Sequence, residues 1–231
     1  MANFKTHINT AAIGSGLAAA AVLSTHHIGF NSAIWLWFLG TIGGLLPDID
    51  SDNSTSLNTI FGIFTLSIVL ISVRFISHLA FKETHFIELI ATATIVYGIM
   101  KLIVRPLFEN VTVHRGSCHS ILFLVLCALI TTQLTWRISA IDTQQGHFIA
   151  WLSGGFIFLG GMIHLLLDEI CSVDLQNATI KRSFGTAIKL ADFNSKMITL
   201  LMMISVAGLT YISPAIEYTV TQLTDWSTFT L

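Results

Sequence analysis

Seven runs of about twenty apolar residues, the length needed to cross a bilayer core, occupy most of this 231-residue chain. They lie at roughly 8–25, 28–46, 57–81, 85–104, 117–136, 148–171 and 197–214. Only 10% of the residues are charged, against about a quarter in an average soluble domain, and 53% are hydrophobic. With a mean hydropathy of +0.76, the expected architecture is an all-α polytopic transmembrane helical bundle of about seven segments. The first run, rich in Ala and Gly, is the weakest and allows a tilted or re-entrant helix, which would leave six. No secretory signal peptide is expected, because the run lacks a convincing cleavage site. The polar connection at roughly 172–196 is too short for a core of its own, so residues 1–231 read as a single integral membrane domain.

The charge pattern orients the bundle. With the N-terminus inside, the cytoplasmic connections collect Lys5, Lys101, Arg105, Arg115, Lys181, Arg182, Lys189 and Lys196, whereas the opposite side holds Lys82 and Arg137. A net charge of -2 offers no concentrated basic surface for a phosphate backbone, so no nucleic acid is expected as partner. Cys118, Cys127 and Cys171 are odd in number and lack CxxC spacing, which suits reduced packing residues, Cys118 being a minor ligand candidate.

Polar residues in such a chain are concentrated in three clusters at the ends of apolar runs. These are Asp48-Ile49-Asp50-Ser51-Asp52, the stretch His114-Arg115-Gly116-Ser117-Cys118-His119-Ser120, and His164-Leu165-Leu166-Leu167-Asp168. Carboxylates and imidazoles away from water are costly unless they pair or hold a metal, so the clusters mark the functional region. Two spans separate each cluster from the next, which brings all three to one face, and His7 joins them if the first segment spans. His164 and Asp168 are four apart, on one helix face, where both reach one ion or the carboxylate orients the imidazole. Asp48 and Asp50 follow Gly43-Gly44-Leu45-Leu46-Pro47, a sequence that ends helices; an extended backbone there aims Asp48, Asp50 and Asp52 the same way. Ser117 is a candidate cap for the fifth segment, and Arg115 beside that helix start can clamp an anionic oxygen pair.

Each cluster also has a plainer explanation. The aspartates suit an acidic surface turn, His164 with Asp168 a structural interhelical pair, and Arg115 a topology signal. His26, His27, His78, His85 and His147 fall near the opposite face as interfacial side chains, Arg74 and Glu88 can pair with each other, and Trp35, Trp37 and Phe38 form lipid or packing surface.

Taken in order, His7-Ile8-Asn9-Thr10, Gly44-Leu45-Leu46-Pro47-Asp48-Ile49-Asp50-Ser51, His114-Arg115-Gly116 through His119-Ser120, and Gly160-Gly161-Met162-Ile163-His164 through Asp168 resemble the YdjM-type family of bacterial inner-membrane proteins, described as membrane-bound metal-dependent hydrolases. Lys181-Arg182-Ser183-Phe184-Gly185-Thr186 is similar to a YdjM-like branch of it. The resemblance implies a multi-pass protein of the bacterial inner membrane with metal-dependent hydrolytic activity. On this reading His7, Asp48, Asp50, His119, His164 and Asp168 are the expected ligands of one or two divalent ions, Zn2+ or Mn2+ being suited to mixed N and O donors. His114 is expected as general acid or base or as a further ligand, Arg115 as a neutraliser of developing charge and a substrate contact, and Lys181 and Arg182 as collectors of an anionic substrate at the cytoplasmic leaflet. A phospholipid or lipid-linked phosphoester is the expected substrate class, a water-soluble ester or amide from the cytoplasm fitting the same ligands, with the lipid bilayer as constant partner.

Two other functions compete: a transporter or channel for a divalent cation or proton, and a membrane scaffold with a structural metal. A phosphatidic-acid-phosphatase-type enzyme is excluded, because its Pro-Ser-Gly-His and Ser-Arg elements are absent.

Overall fold

A computed structural model describes residues 3–50, 55–79, 86–106, 117–139, 143–174, 179–180 and 188–225. Helices stand at all seven predicted segments: α1 (Phe4–Ser24), α2 (Phe30–Gly43), α3 (Thr55–Leu79), α4 (Phe86–Ile99, continued by a π-helical turn at Met100–Val104), α5 (Ile121–Ser139), α6 (Gln144–Cys171) and α7 (Lys196–Tyr211). A further short helix, α8 (Glu217–Thr224), was not anticipated, because its eight residues mix polar and apolar positions too evenly for a membrane segment. A pair of two-residue strands, Val173–Asp174 and Thr179–Ile180, is the sole sheet among the described residues.

The fold is therefore all-helical and membrane-spanning. Four described helices are long and apolar enough to cross a bilayer: Phe4–Ser24, Phe86–Val104, Ile121–Ile138 and Gln144–Cys171. The apolar stretches at Leu57–Leu70 and Lys196–Tyr211 are shorter. At 1.5 Å per residue, the 14 residues of α2 reach only about 21 Å. The second run is cut short by Gly43, Gly44 and Pro47, where a 3-10 turn, Leu46–Asp50, takes over. That turn corrects the expected extended stripe of aspartates. The backbone there winds at about three residues per turn and is not extended, so the period-two alignment expected of an extended chain does not apply.

The chain forms two compact units, residues 1–47 with 116–231, and residues 48–115. In the first, α6 is the central helix, packed by α1, α2, α5 and α8, with α7 against α5. The contact of α1 with its neighbours explains why a weak apolar run is a continuous 21-residue helix. Its buried positions, His7, Ala11, Ser15 and Ala19, recur every four residues, a stripe of small side chains capped at its start by a histidine. Asn3 caps the helix by accepting from the Thr6 N–H at 2.8 Å.

Glycines complete the close approach. A Cβ at Gly40 would overlap Ser15, one at Gly44 would overlap Ala11, and one at Gly160 would overlap the Gly40 carbonyl. Small residues at these crossings let helix backbones touch, the main source of packing energy where lipid removes the hydrophobic drive. We expect Gly160→Val to lower the thermal unfolding midpoint in detergent and to cost about 1–3 kcal/mol or more, whereas Gly155→Val, with open space around it, leaves the midpoint unchanged. Equal midpoints for the two variants would contradict the close packing of α2 on α6.

Away from these seams the helices present Ile13, Leu17, Phe30 and Leu134 outward, as lipid-facing surfaces do. Trp35 and Trp37 are half-exposed, but they also pin helices: Trp35 Nε1 donates to Ser153 Oγ at 3.1 Å, and Trp37 Nε1 donates to the Ala12 carbonyl at 2.8 Å. The second unit is the α3–α4 pair with the π-helical turn.

Candidate metal centre

Three elements of the first unit bring four of the predicted residues together. The first turn of α1 supplies His7, the final turns of α6 supply His164 and Asp168, and the bend before α5 supplies His119. His7, His164 and Asp168 are all at least 97% buried, and His119 keeps 13% of its side chain exposed. Asp168 is the focus. Its Oδ1 lies 3.3 Å from His7 Nε2, and its Oδ2 lies 3.6 Å from His164 Nε2 and 3.9 Å from His119 Nε2.

The tautomer of His164 follows from its other nitrogen. Nδ1 is 2.7 Å from the Gly44 carbonyl oxygen, which only accepts, so Nδ1 carries the proton and donates it. In the neutral ring this leaves the Nε2 lone pair directed toward Asp168, the arrangement by which a carbonyl fixes a metal-ligating histidine. Gly44 can approach so closely because neither it nor Gly160, beside it, carries a side chain. The rings of His7 and His164 stack at 3.7 Å with 11° between their planes, and His119 meets His164 edge-on at 5.7 Å. The buried His7 Nδ1 has no hydrogen-bond partner among the described residues.

Two donors each about 2.0–2.2 Å from one ion, at a tetrahedral angle, sit roughly 3.3–3.6 Å apart. The Nε2-to-carboxylate separations of His7 and His164, 3.3 and 3.6 Å, match that spacing, and that of His119, 3.9 Å, lies just beyond it. They are long for a hydrogen bond, whose N···O distance is commonly about 2.7–3.2 Å. One ligand atom from each of His119, His164 and Asp168 lies within 4.8 Å of the other two. Mixed imidazole and carboxylate donors in a buried setting suit a divalent transition ion, so this cluster can hold a metal.

A second set of residues, missed at the sequence level, holds the His119 bend. Ser117 Oγ donates to Asp192 Oδ2 at 3.2 Å, and the Asp192 carbonyl accepts from Thr199 Oγ1 at 2.6 Å. The Ile121 and Leu122 N–H groups donate to the carbonyls of Lys189 and Leu190 at 2.8 and 3.0 Å. Ser117 is therefore not the helix cap. Ser120 is, accepting from the Phe123 N–H at 3.3 Å while donating to the Ser117 carbonyl at 2.8 Å. The one sequence signal was a lone acid, Asp192, just ahead of an apolar helix. Supporting partners of a ligand commonly set metal affinity by about 10- to 100-fold. Asp192→Ala should weaken metal binding by a factor in that range without changing stoichiometry, as read by competition with a chromogenic chelator.

The remaining predicted residues are placed as follows. Asp48 is half-buried in the 3-10 turn that opens the second unit, and Asp50 ends that turn. His114, Arg115, Lys181 and Arg182 lie outside the described residues, as does Asp52. His78 and Arg74 fall on α3 where side chains are not described, and His85 lies outside the described residues, so the Arg74–Glu88 pair is not seen either. His26 and His27 follow the last turn of α1, and His147 lies in the first turn of α6. By helix rise they are about 26–30 Å from His7 and His164 along the same helices, at the opposite end of the unit.

No curated protein and no solved structure matches the chain. A family model described as YdjM inner membrane protein matches residues 1–213, a stretch that contains every residue of the cluster and the Asp192 support. With helices that cross a membrane and a match over nearly its whole length, the chain belongs to the YdjM family of inner membrane proteins.

Proposed function

We propose that this protein is a membrane-embedded metal-dependent hydrolase with its active centre at the cytoplasmic ends of its helices, acting on a phospholipid or another phosphoester. The observation that carries the reading is the convergence of three imidazole Nε2 atoms on the Asp168 carboxylate, one of them held in its ligand tautomer by the Gly44 carbonyl. In this reading the whole chain is one membrane domain of seven crossings with the N-terminus in the cytoplasm.

His7, His119, His164 and Asp168 would hold one or two Zn2+ or Mn2+ ions, with Asp48 and Asp50 as further ligands. The chemistry supplied by such an ion would be Lewis-acid activation of water and of the scissile group. His114 transfers the proton to the leaving group, Arg115 neutralises charge that develops on a phosphoryl oxygen, and Lys181 with Arg182 draws an anionic substrate from the inner leaflet. Asp168 is buried among apolar side chains and the imidazoles, so it supplies negative charge where water does not compete.

An ion path is less well supported. On α6 the segment Gly146–Leu167 contains no Asp, Glu, Lys or Arg, and its two histidines stand at the two ends. The test is hydrolysis by metal-loaded protein in detergent of phospholipids and of simple phosphomonoesters and phosphodiesters. Metal-dependent release of phosphate or headgroup, lost in His119→Ala and reduced in His114→Ala, is the expected result. A protein that binds stoichiometric metal and hydrolyses no phosphoester would turn the reading toward a structural ion.

A further inference from the structure

The second unit contains a cavity of about 680 Å3 between α3 and α4, within the range of about 300–1,000 Å3 typical of small-molecule sites. Its wall from α3 is drawn from positions 58, 61, 62, 65, 66 and 69, and its wall from α4 from 93, 94, 97, 100, 101 and 105, one face of each helix. The lining is graded. Phe61 and Val69 belong to an apolar wall, whereas Tyr97, Lys101, Arg105 and Asn58 gather toward the end where α3 begins and α4 finishes. Arg105 Nη2 donates to Asn58 Oδ1 at 2.7 Å, joining the two helices there, and Lys101 Nζ sits 5.6 Å from the centre of the Tyr97 ring.

Charge and backbone geometry point to the same ligand. The described residues of the lining include two cations, Lys101 and Arg105. The backbone at Met100–Val104 is a π-helical turn, with the Arg105 N–H donating to the Met100 carbonyl, so Lys101 and Arg105 are carried on a locally widened helix. Such turns are rare and recur at functional sites. A cation pair at the end of a membrane helix attracts an anionic lipid head, and the apolar wall continues in the direction in which acyl chains run.

We infer that the α3–α4 groove is a binding site for an anionic phospholipid, its phosphate on Lys101 and Arg105 and one acyl chain along Phe61 and Val69. The site lies in the second unit and uses none of the four residues that converge on Asp168, so it stands whether or not the hydrolase reading holds.

The test uses the full chain, delipidated in mild detergent with chelator present and then given phosphatidylglycerol and phosphatidylcholine at equal concentration, and counts retained lipid by native mass spectrometry. Each cation adds about a 5-fold preference for an anionic over a zwitterionic lipid, so two cations predict retention of phosphatidylglycerol over phosphatidylcholine by about 30-fold. Lys101→Gln with Arg105→Gln should bring the two lipids level while elution volume stays unchanged. Val69→Trp, which keeps both charges and fills the apolar wall, should reduce retention of both lipids. Equal retention of the two lipids by the native chain, a preference that survives the double substitution, or displacement of phosphatidylglycerol by equimolar inorganic phosphate would each overturn the proposal. The last would mark a phosphate site without a lipid.

Discussion

Asp168→Ala should weaken metal binding by more than about 100-fold. Structural zinc binding of about 10–16 kcal/mol, shared among four ligands, is roughly 3 kcal/mol for each, or two decades of affinity. Asp168 has a further claim to the largest effect, because it is the shared neighbour of His7, His119 and His164. A carboxylate at that point supplies the charge that offsets a dication in a buried site, which no imidazole does. Isothermal titration of the delipidated apoprotein with Zn2+ reads the effect directly. Affinity within a few-fold of the native chain would remove Asp168 from the ligand set.

The second large effect separates ligand from scaffold. His164 is fully buried, packs face to face on His7 and donates to the Gly44 carbonyl at the crossing of α2 with α6. Truncation to Ala removes a ligand, leaves a cavity and strands a buried carbonyl, so His164→Ala should lose metal and also about 2–4 kcal/mol of stability. His119 sits in a bend and is partly exposed, and its ring lies edge-on to His164 and does not stack on it. His119→Ala should therefore lose metal with less than about 1 kcal/mol of destabilisation. Thermal unfolding of both apoproteins, followed by metal titration, distinguishes the two. A stable His164→Ala variant would contradict the role assigned to the Gly44 contact.

Much of this site was legible because membrane burial makes polar residues conspicuous. The i,i+4 spacing of His164 and Asp168 fixed their shared helix face, and counting apolar runs brought His119 and His164 to one end of the helices, with His7 joining them only if the first segment spans. The partners that hold the cluster were not legible, since they are backbone carbonyls or distant loop residues. Nothing in the residue identity of Gly44 says that its carbonyl will meet His164, because that contact depends on the mutual approach of Gly40, Gly44 and Gly160. Asp192 reaches Ser117 across 75 positions, a separation no local pattern encodes. Parity failed at Asp48 and Asp50, where the residues after Gly43-Gly44 wind into a 3-10 turn and do not extend. The continuous α1 was underestimated because its small residues lower its hydropathy while improving its packing.

The groove and the cluster make different demands on the bilayer. The cluster keeps its donors buried at the ends of α1 and α6, whereas the α3–α4 groove opens between helices with exposed apolar faces, including Leu66 and Leu70. Anionic lipid would then be expected to stabilise the second unit, raising its resistance to proteolysis, without altering metal content.

The central claim is that the Asp168 cluster binds a metal, and plasma mass spectrometry of protein purified in mild detergent without chelator tests it most directly. The account predicts about one or two equivalents of Zn or Mn per chain, absent from Asp168→Ala and from His119→Ala. A native chain that carries no metal, and takes up none after incubation with Zn2+ and Mn2+, would contradict it and leave the cluster as a polar packing network.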